Sequence, residues 1–269
     1  MARINGGVEK DMDSEIIKRL KREIVSATLK TKEGHIPSGL SILDILWVLY
    51  DKVLDITPQN FGDLDRDHFI LSKGHGALAL YAVLAEKGFL RKDELSGFAT
   101  YNSPLGGHPD SNKISGVEAS TGSLGHGMPM ALGMALGMRI RRIGHRVFVL
   151  IGDGECNEGS IWESALLASH HRLNNVTCIV DYNHSTDRAL VLGDLAYKFE
   201  SFGWRSVKVD GHDHRKLLDS FAVRDEKRPV AVVAETVKGN GITLMENNPA
   251  WHHRSPTKDE LDAITKDLK

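Results

Sequence analysis

The chain is poor in several things, and each shortage excludes a class of protein. Its 269 residues include two cysteines, Cys156 and Cys178, too few for a disulfide framework or a cysteine-ligated zinc site. Both are expected as unpaired thiols, Cys178 inside a buried strand. No proline-rich or serine-rich linker divides the sequence, so residues 1–269 read as one domain. No apolar run approaches the roughly 20 residues that span a bilayer. The polar start MARINGGVEKDMDSE has no signal-peptide core, and the chain reads as cytoplasmic. A net charge of -2 gives no general field to attract nucleic acid or an anionic membrane, so neither is expected as a partner. Any anion site must be built locally.

What is present is a globular composition in which strand-like runs alternate with helical periodicities. Residues 147–151 deliver the chain into Gly152-Asp153-Gly154, and residues 176–180 deliver it into Asp181-Tyr182-Asn183. Between them, residues 158–172 carry Ile161, Ala165 and Ala168 at near-helical spacing. Further strands are expected at 67–72, 206–209 and 229–236. Helices are expected at 14–30, 41–53, 128–142, 195–202, 214–221 and 258–268, and another opens at Lys73-Gly-His75-Gly76. Residues 33–39 read as a break between the first two helices, and 101–127 as a long irregular segment rich in glycine, serine and histidine, a length that usually marks function. The alternation predicts an α/β fold: a doubly wound, mostly parallel sheet flanked by helices, the helical N-terminal half packing around it. In such folds the C-terminal strand ends share one edge, where ligands bind.

The residues at that edge suggest a chemistry. Magnesium takes hard oxygen ligands and keeps phosphate oxygens and water in its shell. Asp153 and Asn183, each just past a buried strand with 28 residues between Gly154 and Asn183, fit that preference. Gly152 and Gly154 permit close backbone approach, and the helix that follows offers its N-terminus to negative charge. Asn174 and Asn175 precede their strand and belong to the opposite edge. His75, between glycines at a helix start, suits an anion; His108 sits in a glycine-rich loop and His35 at an inter-helix break. His170-His171 and His212-Asp213-His214 read as capping or surface groups, since no third ligand completes a metal site. Arg139, Arg141, Arg142 and Arg146 read as a solvated basic face.

Taken in order, EGHIPSGLS (33–41), RDHFILSKGHGALALYAVL (66–84), GGHP (106–109), STGSLGHG (120–127), GDGECNEGSIWE (152–163), DYN (181–183) and WHHRSP (251–256) resemble the transketolase family. Within it, GDG with the later asparagine resembles the thiamine diphosphate motif. The resemblance implies thiamine diphosphate and Mg2+ as cofactors, the metal held by Asp153, Asn183 and the main-chain carbonyl of Ser185. It implies His75 and His252 near the diphosphate and reacting centre, and His35 and His108 on the sugar, in binding and proton transfer. Gly152, Asp153 and Gly154 would meet the cofactor, and Gly122, Ser123 and Leu124 would border its rings. Glu158 and Glu163 match acidic residues of a carboxylate network at the family's subunit interface, Glu158 being counted with the catalytic and cofactor-binding residues. His253 stands where relatives often carry glycine, and residues 184–188, HSTDR, are more polar than the family's usual sequence.

The family's pyrimidine-binding and C-terminal domains, with the glutamate that activates the cofactor, have no counterpart in the 269 residues. The expectation is therefore the N-terminal, diphosphate-binding subunit of a split transketolase, inactive alone and completed by a C-terminal subunit in an α2β2 assembly. It would transfer a two-carbon ketol unit from a ketose to an aldose, with sugars or sugar phosphates as substrates. The alternatives are a subunit of an enzyme like 1-deoxyxylulose phosphate synthase or dihydroxyacetone synthase, a non-catalytic cofactor-binding subunit, and a magnesium-dependent phosphohydrolase.

Overall fold

Five strands form one parallel sheet in the computed structural model, four of them mostly apolar and the polar β4 at an edge: β1 (His68–Leu71), β2 (Val147–Gly152), β3 (Val176–Tyr182), β4 (Arg205–Asp210) and β5 (Val230–Glu235). Their order across the sheet is β1-β2-β3-β5-β4, with every pair parallel. The structure describes residues 5–187 and 189–269, with backbone alone for 5–11. Residues 1–4 of the N-terminal stretch, and Arg188 at the end of the HSTDR run, lie outside the described residues.

Alternate side chains of each central strand serve two cores, because successive residues point to opposite faces. Phe148 and Leu150 of β2 pack with α1 (Asn5–Thr28), α2 (Ile36–Val48), α3 (Ala77–Glu86) and α7 (His214–Phe221). Val147, Val149 and Ile151 pack with α4 (Gly127–Ile140), α5 (Gly159–His170) and α6 (Leu195–Ser201). Each such valine or leucine contributes roughly 1.5–3 kcal/mol through the surface it removes from water. The chain steps from β2 to β3 and from β3 out to β4 through helices on one face, then returns inward to β5 through α7 on the other. A reversed step needs the opposite face if every crossover keeps one hand. The final helix, α8 (Lys258–Asp267), closes onto the first face through Ile264. Among the described residues no helix is long and apolar enough to cross a membrane.

Four expectations are corrected here. The helix expected from residue 41 begins at Ile36, and what was read as a break to residue 39 is its first turn. Pro37 at that start forfeits no hydrogen bond, and because α2 is buried along its whole length no amphipathic stripe announces it. Residues 49–53, expected to continue that helix, form a π-turn. Arg146 is not part of a solvated face. It is buried, its Nη1 donates to the Phe221 carbonyl at 2.8 Å, and its guanidinium lies 4.3 Å from the Phe148 ring centre. His212 and His214, read as capping or surface groups, both meet the buried carboxylate of Asp44 at 2.8 Å. Asn174 and Asn175 do lie at the N-terminal edge, before β3.

Candidate active site at the carboxyl edge of the sheet

The turns after β1, β2, β3 and β5 meet at one edge with the first turns of α2. The floor of the site is set by β3, whose period-two alternation points Asp181 and Asn183 the same way. Asp181 is fully buried. It forms an ion pair with Lys73 from the turn after β1 and accepts from Thr236 after β5, from Ser41 of α2 at 2.8 Å and from Asn183 Nδ2 at 2.9 Å. Burial opposes its charge, but the Lys73 ammonium and these donors outweigh it and hold the carboxyl below its usual range. Lys73 also donates to the Ser38 carbonyl at 3.2 Å, so this buried pair is saturated, as such pairs must be.

With its nitrogen spent on Asp181, Asn183 turns its oxygen outward. Asn183 Oδ1 and Asp153 Oδ2 both accept the Ser185 N–H, at 3.1 and 3.0 Å. Two oxygens from two strands thus converge on one point. The turn that aims this N–H needs His184 at φ +61°, an uncommon conformation for a non-glycine residue. The His184 ring is anchored to Asp187 and Glu235 at 2.9 and 3.0 Å. Asp153 is buried, and burial first, then the charge of Asp181, pushes its carboxyl above the usual range. A cation beside it would reverse that, so the oxygen set fits a hard divalent metal. Among the described residues no three His, Cys, Asp or Glu gather as a metal site; the oxygens that converge here are one carboxylate and one amide.

Above this floor stands a wall of histidines. His35 lies 5.3 Å from His75, 5.1 Å from His252 and 4.5 Å from His253, ring centre to ring centre. Lys238, from the segment after β5, donates to His252 Nδ1 at 3.0 Å. Partial burial, then the neighbouring histidines, pushes His35 down to about 4. Burial and the Lys73 charge push His75 down to about 2; burial and Lys238 lower His252 too. All three imidazoles are therefore lowered away from charge, and the partners of His35 and His252 assign their tautomers. His35 gives its Nδ1–H to the His252 carbonyl at 3.0 Å, leaving a lone pair at Nε2. His252 accepts at Nδ1 and carries its proton at Nε2. One presents a base and the other a donor, beside an excess of positive charge that suits an anion.

The glycine-rich segment forms the rim. A Cβ at Gly74 would stand 2.9 Å from the Gly122 nitrogen, so glycine is what lets the two backbones touch. His108 packs over Gly122 and is exposed, near enough to His35 to add to the charge that lowers it. Ser123 and Leu124 are exposed on the same rim. Glu155 holds the rim to the floor: it accepts from Ser72 at 2.6 Å, Gly125 N–H at 2.8 Å and Gly152 N–H at 3.0 Å.

The structure thus gathers His35, His75, His252 and the rim residues above Asp153, Asn183 and Ser185. His252 faces Lys238, whereas His253 turns to Glu33 at 3.2 Å. Glu158 and Glu163 are exposed, and Glu158 lies against Gly125 of the rim. Sequence reasoning did not single out Asp181, Lys73, Lys238 or Glu155 as site residues. Asp181 was legible as the residue two before Asn183 on one strand face; Lys238 carries no pattern of its own.

The family described as "Transketolase, thiamine diphosphate binding domain" matches residues 12–268. A Rhodococcoides fascians protein named Ferredoxin fas2 is 47% identical over 211 residues, 78% of this chain and 69% of that protein. An apulose-4-phosphate transketolase subunit of Actinobacillus succinogenes is 38% identical over 259 residues, 94% of each chain. A mutant transketolase of Pichia stipitis superposes with a TM-score of 0.88 at 25% identity, over 96% of this chain and 41% of that one. The chain thus spans about two-fifths of the solved transketolase.

Proposed function

The chain belongs to the transketolase family, as its thiamine diphosphate binding domain, and from that premise we propose that it is the N-terminal subunit of a two-component transketolase. Residues 1–269 would form one domain acting in the cytoplasm, a reading supported by two unpaired, buried cysteines. The observation that carries the proposal is the convergence of Asp153 and Asn183 on the Ser185 N–H, beneath an electropositive wall. The Actinobacillus succinogenes relative, itself named as one subunit of a transketolase and matched over 94% of its own length, supports the two-component arrangement.

When bound, thiamine diphosphate supplies the carbanion-stabilising ring for carbon–carbon cleavage. Asp153, Asn183 and the Ser185 carbonyl would hold Mg2+, which would offset the charge of the diphosphate, with Gly152 and Gly154 at the approach. Gly122, Ser123 and Leu124 border its rings. His75 and Lys238 face the anionic groups. His35 accepts a proton at Nε2, His252 donates one from Nε2, and His108 reaches the sugar from the rim, in the transfer of a two-carbon ketol unit between sugars or sugar phosphates. Glu158 and Glu163 face a C-terminal subunit, which brings the pyrimidine-binding and C-terminal domains and the activating glutamate in an α2β2 assembly.

The test mixes the purified chain with the product of a neighbouring gene, thiamine diphosphate and Mg2+, and follows two-carbon transfer from a ketose phosphate. Transfer by the pair and none by the chain alone is expected. Transfer by the chain alone sinks the two-component reading, and cofactor binding without ketose turnover by the pair favours a different substrate or a non-catalytic role.

A further inference from the structure

The positioning of Lys238 traces to a histidine on another part of the fold. Pairing of β4 with β5 ends where Gly211 N–H donates to the Glu235 carbonyl at 2.8 Å, after which the chain turns into α7. Thr236 N–H is taken from the other side, by the Tyr182 carbonyl of β3 at 3.1 Å. The next donor on the β4 side, Val237 N–H, donates to His212 Nε2 at 2.9 Å rather than to a carbonyl of the described residues. An imidazole extends the ladder by one bond.

That bond requires a lone pair at Nε2, so His212 is neutral with its proton on Nδ1. Asp44 of α2 accepts this Nδ1–H at 2.8 Å and, through its other oxygen, His214 Nε2–H at 2.8 Å. The Asn240 side-chain nitrogen lies 2.9 Å from the same Nδ1 and donates to Asp44 at 3.3 Å. Burial opposes the Asp44 charge, but the two imidazoles and Lys21 of α1 outweigh it. Burial likewise opposes a charge on His214, and Asp44 and Asp13 outweigh that, raising it. Downstream, the Lys238 carbonyl accepts Asn247 N–H at 2.8 Å and Gly239 N–H donates to the Pro37 carbonyl at 3.0 Å; His212 holds the upstream side.

We propose that His212 is a positioning residue: oriented by Asp44, its imidazole fixes the Val237 amide and thereby the place from which Lys238 delivers its ammonium to His252 and the anion before it. This rests on the reading that the histidine wall receives the cofactor and a sugar phosphate.

The test compares His212→Asn with His212→Gln in the assembled enzyme with thiamine diphosphate and Mg2+. The asparagine keeps a donor near Nδ1 but stops short of Val237; the glutamine oxygen reaches the Nε2 position. The asparagine variant is expected to weaken thiamine diphosphate binding and raise KM for a ketose phosphate about tenfold, the loss of one well-placed hydrogen bond. The glutamine variant should restore both to within about threefold. Without cofactor, the Val237 amide should exchange rapidly in the asparagine variant and slowly in wild type and the glutamine variant. Equal binding by all three proteins overturns the role, as does a glutamine variant no better than the asparagine one at matched melting temperature. A wild type that protects Val237 yet binds no thiamine diphosphate overturns the reading of the wall, and the role with it, while leaving the ladder extension standing.

Discussion

The floor and the wall of the site handle charge in opposite ways. Below, Asp181 is saturated by Lys73, Ser41, Thr236 and Asn183, whereas Asp153 is left short of positive charge. Above, His35, His75 and His252 crowd against one another and Lys238, with no acidic side chain among the described residues bonded to any of the four. One half asks for a cation and the other for an anion. A ligand that answers both, a metal ion carrying a diphosphate, is stabilised more by the pair of regions than by either alone, and that pairing teaches more about function than any single residue.

The comparison can be broken hardest from below. Asp181→Ala strands the buried Lys73 ammonium and should destabilise the fold by about 3–5 kcal/mol, lowering Tm by roughly 10 °C for a chain of this size; a thermal melt unchanged within about 2 °C would show that the floor is not held by this pair. Asp153→Ala should do the reverse: a Tm near wild type, with metal-dependent thiamine diphosphate binding weakened about a hundredfold or more, measured by calorimetry with and without chelator. Binding that stays equally metal-dependent would remove Asp153 as a ligand.

The wall responds more gently. Lys238→Met should weaken thiamine diphosphate binding about tenfold and move the His252 titration, followed by NMR, up toward the ordinary histidine value, since Lys238 helps to lower it. Acid should act on the wall first. Histidine in the unfolded chain protonates near 6.5, but folded His35 does so only at about 4 and His75 at about 2. Below pH 6.5 the unfolded state therefore binds more protons, and stability falls steadily toward pH 4. Adding pyrophosphate should flatten that decline, and His35→Gln should remove part of it; a pH–Tm curve indifferent to both would break the electropositive reading. The smallest effect is expected at exposed Glu158, where Ala should shift stability by less than about 0.5 kcal/mol while weakening association with a second subunit, read by sedimentation.

Much of the fold was legible because burial on both faces imposes continuous apolar runs on β2, β3 and β5, and their alternation with helices admits few topologies. Asp153 and Asn183 were legible for the same reason: a polar residue directly after a buried strand stands at the ligand edge. Arg146 misled because a guanidinium stacked on Phe148 looks, in sequence, like any member of a basic run. His212 misled because its partners, Asp44 and Val237, lie far from it in the chain. Ile36–Gly39 misled because a helix start tolerates proline.

By itself the order of residues determined the strand ends, the oxygen donors and the glycines that let loops approach, since these depend on local pattern and on the chemistry of single side chains. Only the tertiary structure decided which charges are neutralised and which are left for a ligand. Lys73 and Lys238 have the same side chain; one is buried against Asp181 and the other is aimed at His252, because the strand order sets the turns after β1 and β5 on either side of β3.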